Sequence, residues 1–368
     1  MKRILSLDGG GIRGVFTLEI LLEMEKLLRE KHYNKSPSFV LRDHFDLFAG
    51  TSTGAIIATC LCWGMKVEDV LRLYVDYGQK MFQPVPWYNP KKWVYSRFQA
   101  APLAEILKQL FLEDGNPALL GSRSLLKREH EMGDRKLLLV VVRNHSTGSA
   151  WPVTNNPDAI YNDRSRPDCN LNIPLWELVR ASTAAPVYFD PAEILLGKNK
   201  QIFVDGSITP YSNPALIAAM TAILPGYNVN WNPGPENIRL VSVGTIQFSS
   251  EIRVKNPRLW LGYNAAKIPA ALLQGIGWQQ DYICRCLGRC IAGEVLDSEV
   301  GDLVAVPPPG AGWFSYVRYN RSYKTKEMEE VLREHPRLAQ IDAVDAIPLL
   351  RAIGQAYAEK TVALDHLI

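Results

Sequence analysis

Short apolar runs alternate with helix-period segments along the first sixty residues. Arg3–Leu7 has the length of a strand, Gly9–Gly14 forms a glycine turn, and Val15–Glu30 places Phe16, Ile20, Leu21, Met24, Leu27 and Leu28 at steps of three and four. Glu19, Glu23, Glu25 and Lys26 fall largely between them, so the spacing predicts an amphipathic helix. Phe45–Ala49 repeats the apolar run, Gly50–Gly54 repeats the glycine turn, and Ala55–Cys62 predicts a second, more apolar helix. Two successive strand-turn-helix units favour an α/β fold with a parallel sheet.

Further along, Lys136–Arg143 is a continuous apolar run suited to a strand buried on both faces, and Gln201–Val204 and Ile238–Val243 predict two more. Helices are predicted at Pro102–Glu113, Leu175–Ala184 and Asn213–Leu224. From about residue 260 the pattern turns mainly helical, with Gly262–Gly275 and Trp278–Cys290 preceding a break at Pro307–Pro309, and Glu327–Ile368 is charged and helix-prone. No internal repeat or low-complexity tract is visible.

Composition narrows the class. With 368 residues, 47% hydrophobic and 21% charged, the chain buries enough apolar surface to offset the entropy of ordering it, which excludes disorder. A net charge of +3 without a strongly basic block gives no footprint for a nucleic acid polymer. Leu47–Met65 is nineteen residues without Asp, Glu, Lys, Arg or His, the length of a membrane span, yet Thr51, Ser52, Thr53, Thr59 and three glycines favour a buried strand, turn and helix. The basic start, Met1-Lys2-Arg3, runs into Asp8 before an export signal can form, and six cysteines are too few and too bunched for a disulfide framework. A reduced, cytoplasmic protein is expected.

Gly50-Thr51-Ser52-Thr53-Gly54 is a G-x-S-x-G set between an apolar strand and an apolar helix. There, small residues let the chain turn sharply and leave Ser52 exposed at the top of the sheet as a nucleophile, where the helix N–H groups favour negative charge. Asp8-Gly9-Gly10-Gly11-Ile12-Arg13-Gly14 offers backbone N–H groups with few side chains in the way, a nest that can hold a developing oxyanion. Gly9, Gly11 and Gly14 also spell a dinucleotide fingerprint, but Asp8 would set a carboxylate beside a pyrophosphate and no acid ends the next strand. Asp205 is the best base: an apolar strand, Ile202–Val204, delivers it into the Gly206 turn. Of the six histidines only His145 lies in a loop suited to a site, and it reads equally as a solvated turn residue. Arg13 can add charge near the oxyanion donors or pair with a carboxylate.

Taken in order, DGGGIRG at 8–14, GTSTG at 50–54, ASTAAPVYF at 181–189 and DGS at 205–207 resemble the four blocks of the patatin-like phospholipase family, with Ser212-Asn213-Pro214 similar to its Asn-Pro. Ser207 departs from the family's usual Gly or Ala. The resemblance reaches about residue 217. It implies a three-layer patatin-like α/β fold with a mostly parallel sheet flanked by helices and a mainly helical C-terminal extension. Residues 1–217 form the catalytic core, 218–310 its continuation with a last strand and helices, and 311–368 the extension. It also implies a lipid acyl hydrolase of the phospholipase A type. Ser52 and Asp205 form its dyad and Gly9, Gly10 and Gly11 its oxyanion hole, supported by Arg13, Gly50, Gly54 and Gly206, with no metal or cofactor. The substrate is a phospholipid or another acyl-ester lipid.

Met81, Phe82, Trp87, Tyr88, Trp93, Tyr95 and Phe98, interleaved with Lys80, Lys91, Lys92 and Arg97, read either as a surface for transient contact with an anionic membrane or as a packed loop. Cys284, Cys286 and Cys290 have no fourth ligand of matching spacing, so helix core or surface is their expected home. An α/β-hydrolase triad would need a late histidine, and neither His335 nor His366 sits in a convincing loop. Similar bacterial proteins include antiphage effectors switched on by cyclic nucleotides, which makes a cyclic nucleotide a candidate activator. A non-catalytic lipid-binding module is the remaining alternative.

Overall fold

A computed structural model describes residues 1–86, 96–126, 135–248, 261–323 and 325–368. Its centre is a nine-stranded sheet. The strands are β1 (Lys2–Leu7), β2 (Leu47–Thr51), β3 (Leu137–Asn144), β4 (Ser149–Thr154), β5 (Ala192–Leu196), β6 (Asn199–Asp205), β7 (Ile238–Val243), β8 (Arg289–Ala292) and β9 (Ser315–Tyr319). From β8 through β9, β7, β1 and β2 to β3 every pairing is parallel, while β4 and β6 meet β3 antiparallel and β5 joins β6 antiparallel.

Because successive strand residues face opposite sides, the apolar runs feed two cores. Leu5, Leu7, Phe48, Leu138 and Val140 face one, which is closed by α1 (Gly14–Lys31), α2 (Thr53–Trp63), α3 (Val67–Met81), α4 (Ala101–Leu110) and α5 (Leu175–Ser182). Ile4, Leu47, Ala49, Leu139 and Val141 face the other, against α6 (Ala215–Ile223) and the C-terminal end of α7 (Leu261–Leu287). The result is the expected three-layer α/β architecture. Leu47–Thr51 is buried throughout and Thr53–Cys62 likewise, so the uncharged stretch serves the protein core. Among the described residues no helix is long and apolar enough to cross a membrane.

Two expectations need correction. The segments predicted as helices at Gly262–Gly275 and Trp278–Cys290 are one helix, α7, and Cys290 lies beyond it on β8. The expected boundary at residue 310 fails as a structural division, because β9 inserts between β7 and β8 and so belongs to the central sheet. Only then do α8 (Thr325–Glu334) and α9 (Ile347–Thr361) follow, and α9 packs on α1 through Tyr357 and Phe16, whose ring centroids are 5.5 Å apart. The chain between Lys80 and Phe98 falls partly outside the described residues, including Trp87, Tyr88, Lys91, Lys92, Trp93 and Tyr95.

Phe48 is fully buried on β2, the strand that leads into the G-x-S-x-G turn. Phe48→Ala is expected to cost about 3–5 kcal/mol, read from the urea midpoint, through lost transfer energy and an unfilled cavity. Leu195→Ala, on edge strand β5 with 63% exposure, should change stability by under about 0.5 kcal/mol.

Candidate active site

The register around β3 brings the two chemical side chains together. Residues 139–144 of β3 use one edge for β4. On the opposite edge β2 pairs with residues 137–141 and β6 with 142–144. Since β2 runs parallel to β3 and β6 antiparallel, the two strands meet tip to tip, Thr51 opposite Val141 and Asp205 opposite Val142. The turn after β2 carries Ser52, and its Oγ donates to Asp205 Oδ2 over 2.6 Å.

Local sequence fixes this turn. Ser52 has φ 55° and ψ −124°, a conformation that a residue with a side chain holds only when its surroundings force it, at about 1–3 kcal/mol. A Cβ at Gly50 would lie 2.2 Å from the Gly54 carbonyl oxygen, and one at Gly54 would lie 2.1 Å from that of Leu7. Glycine is therefore required at both positions. Ser182 secures the strained residue: its hydroxyl donates to the Val141 carbonyl over 2.7 Å and accepts the Ser52 N–H at 2.9 Å. Ser182 stood inside a block that the sequence singled out, without a role of its own.

Asp205 is 2% exposed and Ser52 8%. Burial pushes the Asp205 carboxyl up to about 6, against the opposing pull of the Ser52 hydroxyl, the Ser207 N–H on Oδ1 at 2.7 Å and the more distant Arg180 guanidinium. The Gly206 turn is tight as well, since a Cβ there would meet the Val141 carbonyl oxygen at 2.3 Å.

The glycine turn closes over the pair from β1. A Cβ at Gly9 would lie 2.3 Å from Ser207 Oγ and 3.4 Å from Ser52 Cβ. Of the three expected oxyanion donors Gly9 is corrected, because its N–H already donates to the Ser212 carbonyl at 3.0 Å. The Gly10 and Gly11 amides bond no acceptor among the described residues. The Thr53 and Gly54 amides at the start of α2 are free in the same sense and were implicit only in the helix-terminus reading. Arg13 makes no ion pair among the described residues; its Nε donates to the Gly10 carbonyl at 3.3 Å, and burial lowers its pKa to about 10.

No histidine among the described residues bonds to Ser52 or Asp205. His44 lies at the far end of β2 between Tyr33 Oη and the Leu367 carbonyl, each 3.0 Å away, with burial pushing its imidazole down to about 3. His366 bonds Tyr319 Oη at 2.7 Å. Cys284 and Cys290 are buried and Cys286 partly so, and no metal-binding cluster occurs among the described residues. Cavities of about 540 Å³ along residues 157–171 and about 220 Å³ beside Trp176 and Arg180 do not include Ser52 in their lining.

A family model for patatin-like phospholipase matches residues 5–219. The chain is 26% identical over 265 residues to a cGAMP-activated phospholipase of Escherichia coli strain TW11681, covering 71% of this chain and 67% of that protein. It is 30% identical over 258 residues to a cGAMP-activated phospholipase of Vibrio cholerae, covering 66% and 64%. Over 256 residues it is 27% identical to the calcium-independent phospholipase A2-gamma of Oryctolagus cuniculus, covering 68% and 29%. The chain thus spans about two thirds of the first two relatives' length and less than a third of the last.

The buried carboxyl gives a direct physical test. With ¹³C-labelled aspartate, the Asp205 resonance, assigned by its loss in Asp205→Asn, is expected to titrate near pH 6, protonated below and ionised above. A midpoint at the ordinary carboxylate value near 4 would mean that water reaches the site freely.

Proposed function

The chain belongs to the patatin-like phospholipase family, and from that premise we propose that it hydrolyses fatty-acyl esters of phospholipids through a Ser52–Asp205 dyad. The observation that carries the reading is the 2.6 Å hydrogen bond from Ser52 Oγ to Asp205 Oδ2 inside the family-matched region. Ser52 Oγ attacks the ester carbonyl carbon as its proton passes to Asp205 Oδ2. The negative oxygen that forms is received by the Gly10 and Gly11 amides. Collapse expels the lysolipid alkoxide, which takes the proton back from Asp205 and leaves an acyl-Ser52. Water, deprotonated by Asp205, then attacks the acyl carbon and releases the fatty acid, and the proton on Asp205 passes back to Ser52 Oγ.

A carboxylate near 4 is a weak base for an alcohol, and burial reduces that mismatch by raising Asp205 to about 6. The same value leaves Asp205 mostly ionised at neutral pH, so the base is both stronger and available. This reading needs neither a metal nor a cofactor. We place the enzyme in the cytoplasm, and a transient contact with the membrane surface is supported by Val187 at 60% exposure beside the Arg97–Tyr188 cation–π pair at 5.6 Å.

Ser52→Ala and Asp205→Asn are each expected to lower the rate by roughly 10⁴ on phospholipid vesicles and on short p-nitrophenyl esters while the far-UV spectrum is retained. Full activity in either variant rejects the dyad.

A second reading, control by a cyclic dinucleotide, is favoured by the two bacterial relatives named as cGAMP-activated phospholipases and by the 8% exposure of Ser52. Adding cGAMP to the purified protein is expected to raise vesicle hydrolysis at least tenfold; an unchanged rate across a panel of cyclic dinucleotides removes this reading.

A further inference from the structure

The glycine turn contains an electrostatic problem. Asp8 immediately precedes Gly9, and its backbone lies against the same strand-to-helix turn as Ser52: a Cβ at Gly54 would stand 2.7 Å from the Asp8 carbonyl oxygen. A carboxylate there would repel an oxyanion at Gly10 and Gly11, for the same reason that it argues against a pyrophosphate. A Coulomb term scales inversely with distance and dielectric, so in a buried site two residues away it is not screened to nothing.

The chain answers with a residue 310 positions away. Arg318, on β9, donates from Nη1 to Asp8 Oδ1 at 3.0 Å and from Nη2 to Oδ2 at 2.6 Å, a planar two-point pair with side chains 6% and 13% exposed. Nη1 also donates to Ser242 Oγ at 2.7 Å on the adjoining strand β7, while Nε is buried without a partner. The guanidinium thus sits where it serves Asp8, at the expense of one of its own donors. The charges beyond it are already matched: Asp281 is held by Arg285 through bonds of 3.0 and 2.9 Å and by Tyr316 Oη at 3.0 Å. No other cation among the described residues bonds Asp8.

We propose that Arg318, outside the family-matched region, is a positioning residue for ester hydrolysis, the counter-charge that cancels Asp8 and lets the glycine turn receive negative charge. The proposal rests on the Ser52–Asp205 reading above, and the parent's activity on short esters tests that reading separately.

The test is a double-mutant cycle on the full chain, with kcat and KM for a short p-nitrophenyl ester and affinity for a trifluoromethyl ketone that mimics the tetrahedral state. Arg318→Met leaves an unopposed carboxylate and is expected to lower kcat by about 10²–10³, the range of a lost oxyanion donor, with matching loss of ketone affinity and KM within about threefold. Asp8→Asn loses the same salt bridge but leaves a cation, and should cost no more than about tenfold in kcat. Asp8→Asn combined with Arg318→Met should recover to within about tenfold of the parent. A purely structural role predicts equal losses for the two single variants and no recovery. Equal losses overturn the proposal, as does a folded double variant that remains 10² or more below the parent; the latter result decides the matter even where Arg318→Met alone does not fold. A parent inactive on short esters even with cGAMP added would instead reject the dyad reading.

Discussion

The site depends on one constraint of sheet geometry: two strands running in opposite directions share one edge of β3 and end against each other. A parallel neighbour delivers the tip of β2 to Val141, and an antiparallel neighbour delivers the tip of β6 to Val142. Residues 51 and 205 are then adjacent though 154 positions apart, and the backbone ladder, not a flexible loop, sets the distance between hydroxyl and carboxylate. A one-residue slip of β6 would turn Asp205 to the other face. Phe203 and Val204, both buried, oppose such a slip, which would exchange the faces they occupy.

That rigidity lets a strained residue and a buried charge coexist. The positive φ of Ser52 is opposed by three fixed partners: Ser182 on its N–H, and the Ala55 and Ile56 amides on its carbonyl at 2.9 and 3.3 Å. Each contributes about 0.5–1.5 kcal/mol net, together comparable with the strain of about 1–3 kcal/mol. For Asp205 the balance falls the other way. Hydrogen bonds from Ser52 and Ser207 and a distant guanidinium fail to cancel desolvation, and the carboxyl stays near 6. The fold therefore tolerates a destabilised carboxylate at the place where the proposed mechanism uses a stronger base.

Much of this was legible in the residues. The change from a short apolar run through a glycine turn to a helix-length segment, across Gly9–Gly14 and again across Gly50–Gly54, marked β1, α1, β2 and α2, and an apolar run ending in Asp-Gly marked the end of β6. α3 was missed although Val67, Val70, Leu71, Tyr74, Gly78 and Met81 recur at steps of three and four and are buried. Gly262–Gly275 and Trp278–Cys290 read as separate helices, yet α7 runs through Gly275 and Gly277 although each costs about 1 kcal/mol in a helix. Other features leave no local signal. β9 is five residues long and holds a charged side chain, and only its non-local pairing with β7 and β8 makes it a strand. The Asp8–Arg318 pair joins the two ends of the chain, and the use of the Gly9 amide by Ser212 follows from tertiary approach alone.

On the proposed mechanism, preorganisation gives the C-terminal third a role at a site whose motifs end near residue 217. An oxyanion hole is effective when its donors are already oriented, so that reaction spends nothing on turning dipoles. Free glycine amides are the least ordered donors available, because glycine loses the most backbone freedom on folding. Here the turn is held from several directions. Arg318 cancels the charge of Asp8 at its entrance. Thr245 Oγ1 donates to the Gly9 carbonyl at 2.9 Å, and Arg13 Nε to that of Gly10. At the exit the Ile12 N–H donates to the Ile341 carbonyl at 2.8 Å, and Ile341 packs so closely that a Cβ on Gly11, itself at φ 61°, would lie 2.2 Å from that oxygen. Arg318, Thr245 and Ile341 all lie beyond the recognisable motifs. The glycines make the turn possible, and residues distant in sequence remove the freedom that glycine brings.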